Sequence, residues 1–203
     1  RYVRGRDSLG ASVFYTTIDD VIQDVFPAGG GPGTLENGEG AELYGFELIW
    51  DHGLPTPEAL GERLAVVGSL SFIDTEAEVP QPDGSILEEP ISRANRLYGL
   101  AGLRLDVDRH WWTQAQVRFH DRYGKNDIAA NDANDVRLTV PGRADGQVPG
   151  YGVVDLIAGW RNDRRDRWVT LTLENLGDKT YRQLGSGADA PGFNVVLATG
   201  IRF

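Results

Sequence analysis

Cysteine and methionine are both absent from the 203 residues, and histidine occurs only three times. Without cysteine there is neither a disulfide framework nor a thiol nucleophile. Without methionine, Arg1 is not expected to be a natural start, and the chain reads as part of a longer one. No apolar run approaches the roughly 18–20 residues of a membrane-spanning helix. Positive charge is also scarce: 20 Lys and Arg against 30 Asp and Glu leave a formal net charge of −10. That excludes the basic surface of a general nucleic-acid binder. Ser69 and Ser186 have no neighbouring His and acid, so a serine hydrolase has no support. The run GGGPG at 29–33 is not followed by the Lys-Ser/Thr of a phosphate loop. Neither an enzyme nor a cofactor is expected.

What the chain does have is glycine, 26 of it, and eight stretches of period-two alternation between turn-rich segments. They cover 9–23, 40–50, 64–73, 96–107, 110–120, 151–160, 168–176 and 193–203. No comparable stretch holds a 3.6-residue period, although PTPEALGERL at 55–64 is compatible with a helical turn. The pattern is all-β, and within it the two rows of each strand differ. At 110–120, Trp111, Thr113, Ala115, Val117 and Phe119 oppose Trp112, Gln114, Gln116, Arg118 and His120. At 168–176, Val169, Leu171 and Leu173 oppose Trp168, Thr170, Thr172 and Glu174. At 9–23, Val13 and Tyr15 compete with Phe14 and Ile18 for the apolar row.

A soluble sandwich or lipocalin-like binder also alternates, with its apolar face turned inward. Strand length argues for a membrane instead. A strand of about 11 residues rises ~37 Å, or ~26 Å at a 45° tilt, which matches the apolar band of an outer-membrane barrel. Aromatic residues collect near strand ends (Trp50, Trp111, Trp112, Tyr151, Trp160, Trp168, Phe193 and Phe203), as in interfacial girdles. Connections alternate between long (24–39, 74–95, 121–150, 177–192) and shorter (51–63, 108–109, 162–167). An antiparallel up-and-down transmembrane barrel has that rhythm, with long loops outside and short turns in the periplasm. The acidic segment 74–95 reads as a solvated loop. The last strand then runs inward and leaves the C-terminus in the periplasm.

Four stretches resemble the C-terminal part of the barrel of TonB-dependent outer-membrane receptors. They are SVFYTTIDDVI (12–22), ENGEGAELYGFEL (36–48), VPGYGVVDLIAGW (148–160) and TLTLENLGDKTYR (170–182), followed by a terminal strand ending on Phe203. In the second, Asn37, Gly38, Ala41, Gly45 and Glu47 match; in the fourth, Gly177 departs from the aromatic usual at its position. The resemblance implies that residues 1–203 are the last eight strands of a barrel of about 22, with the plug domain and TonB box upstream. It implies uptake across the cell outer membrane of a small-molecule ligand such as a ferric siderophore or other iron chelate. The implied partners are lipid, the protein's own plug, the TonB complex and the barrel-assembly machinery. A different reading, a complete eight-stranded barrel with a structural or adhesive role, also fits the strand number.

Candidate ligand-contacting residues lie at and after the outer end of 110–120: His120, Arg122, Tyr123 and Arg137, with Lys125 and Arg143 nearby. Bases and aromatics there suit an anionic chelate. Gln114, Gln116, Arg118 and Glu174, with Arg104, are expected to face the lumen and hydrogen-bond the plug. Phe193, Val195, Leu197, Ile201 and Phe203 form the lipid-facing row that the resemblance implies is read as an assembly signal. His110 and His120 are too far apart along one strand to share a metal, and Asp19, Asp20 and Asp24 read as a solvated strand end. Asn175-Leu176-Gly177-Asp178 reads as a turn, with Gly177 suited to positive φ.

Overall fold

A computed structural model describes residues 2–20, 22–25, 34–37, 40–81, 83–91, 94, 96–124, 127–128, 148–184 and 186–202; side chains of 22–25 and 34–37 are not described. Its strands are β1 (Tyr2–Arg4), β2 (Asp7–Asp19), β3 (Ile22–Val25), β4 (Thr34–Asn37), β5 (Gly40–Leu54) and β6 (Arg63–Pro80). They continue with β7 (Ile86–Glu89), β8 (Leu97–Asp106), β9 (Trp111–His120), β10 (Tyr151–Arg161), β11 (Arg167–Glu174) and β12 (Asn194–Ile201). The eight expected strands are β2, β5, β6, β8, β9, β10, β11 and β12. They form one antiparallel meander in chain order, with β1 added beside β2 and β7 beside residues 77–80 of β6. A separate β3–β4 ladder lies in the first long connection. Among the described residues, β12 pairs only with β11 and β1 only with β2, so the sheet is open.

Long and short connections alternate as expected, so all long ones meet at one end. The largest departure is at 74–80, expected as loop, which continues β6 to 18 residues. Asp74, Glu76 and Glu78 alternate with Thr75, Ala77 and Val79, so period two persists while acids replace apolar residues. Thr75 and Ala77 are buried, which fixes the register. Eighteen residues rise ~60 Å, ~42 Å at a 45° tilt, well beyond an apolar band of ~25 Å. Of residues 55–64, expected to allow a helical turn, 55–62 supply a turn in which the Leu60 N–H donates to the Pro57 carbonyl at 2.9 Å, and Arg63 and Leu64 already belong to β6.

Register sorts every strand into two faces, because directly paired residues point the same way. One face carries Val13, Phe46, Leu48, Val66, Leu103, Val117, Leu156, Leu171 and Leu197. It is solvent-facing in the isolated chain: Val13 is 84% exposed and Leu197 71%. The other carries Ser12, Ser71, Arg104, Gln114, Gln116, Arg118, Asp155 and Glu174, and Asp155 is only 1% exposed. The sheet is therefore apolar on its open face and polar on its sheltered one. A single cleft is lined both by Arg6 in the β1–β2 turn and by Arg165 in the β10–β11 turn, so the polar face is concave. Val13 and Tyr15 win the apolar face of β2, and Phe14 and Ile18 pair on the polar side.

Glycines permit this curvature through aromatic partners. Phe14 faces Gly45, Trp50 faces Gly68, Phe119 faces Gly99, Trp112 faces Gly159 and Trp168 faces Gly200. At Gly68, Gly159 and Gly200 the indole occupies the volume a Cβ would need, whereas at Gly45 and Gly99 backbone oxygens of Phe72 and Ser69 lie nearer than the phenyl ring. An aromatic laid over a cross-strand glycine covers exposed backbone and pins register. This corrects the expectation that these strand-end aromatics all belong to interfacial girdles. Trp50, Trp111 and Trp160 are on the apolar face near the short turns, but Trp112, Trp168 and Tyr151 are on the polar face. Phe203 lies outside the described residues.

Candidate ligand-binding site

At the long-connection end of the polar face, Tyr98, His120 and Tyr151 are register partners across β8, β9 and β10. Their rings stack in a row, with centroids 6.0 Å apart for Tyr98–His120 and 5.7 Å for His120–Tyr151. Tyr181, from the last long connection, extends the row at 4.2 Å from Tyr151. Tyr123 packs behind His120 and is buried with Val148 and Ile128. The backbone bridge between Tyr123 and Val148 closes the base of the longest connection.

Proton positions follow from the partners. His120 Nδ1 lies 2.9 Å from the Asp121 carbonyl, which only accepts, so Nδ1 carries a proton. In the neutral ring Nε2 then accepts from the Tyr123 hydroxyl at 3.2 Å, and the Tyr123 oxygen accepts from the Arg96 N–H at 3.2 Å. Burial pushes the Tyr123 phenol well above its ordinary pKa.

Beneath this row, Asp155 organises the wall. It takes two bonds from the Arg118 guanidinium, one from the Gln116 amide at 3.1 Å and one from the Asn175 N–H at 3.0 Å. Gln114 donates to Gln116 at 2.8 Å, and Asn194 donates to Glu174 at 3.1 Å. The four residues expected to face the lumen share the polar face; Gln114, Gln116 and Arg118 are linked directly or through Asp155, whereas Glu174 bonds Asn194. Asn175 is buried; its side chain donates to the Lys179 carbonyl at 2.8 Å and accepts from the Lys179 N–H at 3.0 Å. The left-handed residues of this turn are Asn175 (φ 50°) and Asp178 (φ 48°), not Gly177.

Beside Tyr123 is a cleft of about 270 Å³ walled by Asp74, Glu88, Glu89, Arg96 and Asp127. Arg96 Nη1 lies 2.6 Å from Asp127 Oδ1. Of the residues expected to contact ligand, His120 and Tyr123 are brought together. Arg122 is exposed, and its N–H donates to the Asp121 carboxylate at 2.8 Å. Arg137, Lys125 and Arg143 lie outside the described residues. Among the described residues, no group of three or more His, Cys, Asp or Glu is placed to hold a metal ion. Sequence reasoning missed Tyr98, Tyr151, Tyr181 and Asp155, whose nearness to His120 depends on strand register; counting parity across 96–107 and 151–160 would have put Tyr98, Tyr151 and Asp155 on the polar face.

The profile of the family described as TonB dependent receptor-like, beta-barrel matches residues 1–176. The chain belongs to this family. TonB-dependent receptors are proteins of the bacterial outer membrane, and the apolar open face and polar concave face are arranged as such a wall requires. Among solved structures, the copper transporter OprC is 18% identical, with a TM-score of 0.70 over 100% of this chain and 29% of its own. The FrpB iron transporter from Neisseria meningitidis is also 18% identical, with a TM-score of 0.66 over 100% of this chain and 30% of its own. The siderophore receptor PiuA from Acinetobacter baumannii is similar at a TM-score of 0.54, with 18% identity, over 95% of this chain and 26% of its own. The chain thus spans about three-tenths of the length of these transporters. A search of curated protein sequences finds no match.

Proposed function

We propose that this chain is the closing portion of an outer-membrane receptor that imports an iron chelate, such as a ferric siderophore, by TonB-dependent transport. The observation that carries the reading is the family membership together with a sheet that is apolar on its open face and polar on its concave one. Solved structures of like fold include an iron transporter, a siderophore receptor and a copper transporter. Within the chain, the ligand would meet the Tyr98–His120–Tyr151–Tyr181 row and the cleft beside Tyr123. The wall built on Gln114, Gln116, Arg118 and Glu174 would face a plug domain supplied by the rest of the polypeptide. The apolar row Phe193, Val195, Leu197 and Ile201 would face lipid, and with Phe203 would be read by the barrel-assembly machinery from the periplasm. The alternative, a complete eight-stranded barrel, needs β1 or β2 to pair with β12, and no such pairing occurs among the described residues.

The test is uptake of radiolabelled iron, presented on a panel of ferric chelates, by cells with and without the full-length protein. Uptake that requires both the protein and TonB is expected for at least one chelate. Equal uptake in the two strains for every chelate, with the protein present in the outer membrane, refutes the iron-chelate reading.

A further inference from the structure

Five arginines converge on one cleft at the end of the sheet away from the long connections. The long connections with the strand extension that leads into one of them (20–39, 74–96, 121–150 and 175–192) carry seventeen carboxylates against eight basic side chains. At the opposite end a cleft of about 290 Å³ is lined by Arg6, Arg63, Arg104, Arg161 and Arg165, with Asp51 and Asp106 as its acids. Two of the five guanidiniums are already neutralised. Arg63 is held by Asp51 and approached by Asp7 at 3.6 Å. Arg104 lies 3.1 Å from Asp106 and 4.1 Å over the Trp112 ring.

The other three are different. Among the described residues Arg6, Arg161 and Arg165 have no carboxylate partner. Arg161 uses only its Nε, which donates to the Arg109 carbonyl at 3.2 Å. Arg165 is held at a left-handed φ of 55° within a turn closed by the Asn162 side chain, whose Nδ2 lies 2.6 Å from the Asp166 carboxylate. They enter from the two flanks of the curved sheet, Arg6 beside β2 and the others beside β10, so their charges converge on one space. Guanidiniums stay charged at all accessible pH and present a planar fork matched to carboxylate or phosphate.

We propose that this cleft is an oxyanion site, in which Arg6, Arg161 and Arg165 hold a carboxylate or phosphate group against the braced wall of Arg63 and Arg104. The oxyanion is either a small anion from solution or a carboxylate of polypeptide outside this chain. The site is separate from the cleft beside Tyr123 and does not depend on which ligand that cleft takes.

The experiment uses the full-length protein in detergent micelles at low ionic strength. Inorganic phosphate and citrate are titrated against the wild type and against Arg6→Gln/Arg161→Gln/Arg165→Gln, with the unfolding midpoint as readout. For a small anion, one probe raises the wild-type midpoint saturably by about 2 °C or more and leaves the variant unmoved. For a polypeptide carboxylate, neither probe acts and the variant melts lower than the wild type. Removing three unpartnered like charges otherwise only relieves repulsion. A variant that melts at or above the wild type, with no probe effect on either, therefore overturns the proposal, as does an equal probe effect on both. Should the triple variant not assemble, Arg161→Lys/Arg165→Lys keeps the charge and removes the fork. A weakened probe response or a lowered midpoint is then expected, and wild-type behaviour in both overturns the site.

Discussion

The carboxylate of Asp155 on β10 is joined to the guanidinium of Arg118 on β9 through both its oxygens, and Asp155 is 1% exposed. The same carboxylate takes the Asn175 N–H, so one ion pair ties β9 and β10 to the turn after β11. Removing one partner of a buried pair leaves the other charged and unsatisfied, at a cost of about 3–5 kcal/mol. Arg118 keeps some solvent contact, so the low end applies. Arg118→Ala is expected to destabilise the protein by about 3 kcal/mol, measured as unfolding of the full-length barrel in detergent. Loss of less than a tenth of that would mean water replaces the arginine.

The glycine–aromatic pairs make a second test. An alanine at Gly159 would put its Cβ into the Trp112 indole, and overpacking of this kind costs about 1–3 kcal/mol. Trp112→Ala uncovers Gly159 and removes the ring beneath Arg104. Once the ring is gone, the added methyl has room. The double variant Trp112→Ala/Gly159→Ala should therefore be less destabilised than the sum of the singles. Additive losses would show that the ring and the glycine do not constrain each other.

The same cross-strand geometry explains what was and was not legible in the chain. Eight strands, their alternating loops and their polar and apolar rows follow from period-two patterning, which is local. The extension of β6 through Asp74, Glu76 and Glu78 was hidden because acids in alternation look like a solvated loop. Only the burial of Thr75 and Ala77 distinguishes the two. Asn175 and Asp178, rather than Gly177, take the left-handed turn conformation, because Asn175 repays the strain with two side-chain bonds to Lys179. The gathering of Tyr98, Tyr151 and Tyr181 about His120 depends on the pairings of Tyr98 with His120 and His120 with Tyr151, and on the connection that returns Tyr181 to Tyr151. No local pattern encodes those.

The β8–β9 turn gives a pH dependence. Backbone N–H groups of Trp111 and His110 bond the Asp108 carboxylate and hold its pKa below the ordinary carboxylate value. A lowered folded-state value means stability present above the unfolded pKa of about 3.9 and lost as pH falls through the folded one. Asp108→Asn is expected to flatten the acid limb of the stability profile below about pH 4. An unchanged acid limb in the variant would remove Asp108 from the account.

Tyr123 acts at the opposite end of the scale. Burial raises its folded pKa, so the stability it supplies is complete below the unfolded value of about 10 and declines as pH rises beyond it. Ionisation also removes the proton given to His120 Nε2. Tyr123→Phe should lower stability near pH 7 by about 1 kcal/mol, from lost hydrogen bonds, yet remove the Tyr123 share of the alkaline decline. Tyrosine absorbance followed from pH 9 to 12 reports whether one phenol titrates late in the wild type and is missing in the variant.

Adjacent residues of β12 separate the two faces of the wall. Leu197 is paired with Leu171 on the apolar face and is 71% exposed, whereas Val196 is paired with Thr172 on the polar face. On the lipid side of a barrel an arginine near the bilayer midplane costs about 2–4 kcal/mol, whereas a lumen position is bathed in polar groups. Leu197→Arg should therefore sharply reduce the full-length protein recovered folded in the outer membrane. Val196→Arg should leave assembly near wild type, because its guanidinium enters the polar concavity. Equal recovery of both variants would refute the assignment of faces, and loss of Val196→Arg alone would reverse it. Reversal would turn the apolar row inward, as in a soluble lipocalin-like binder.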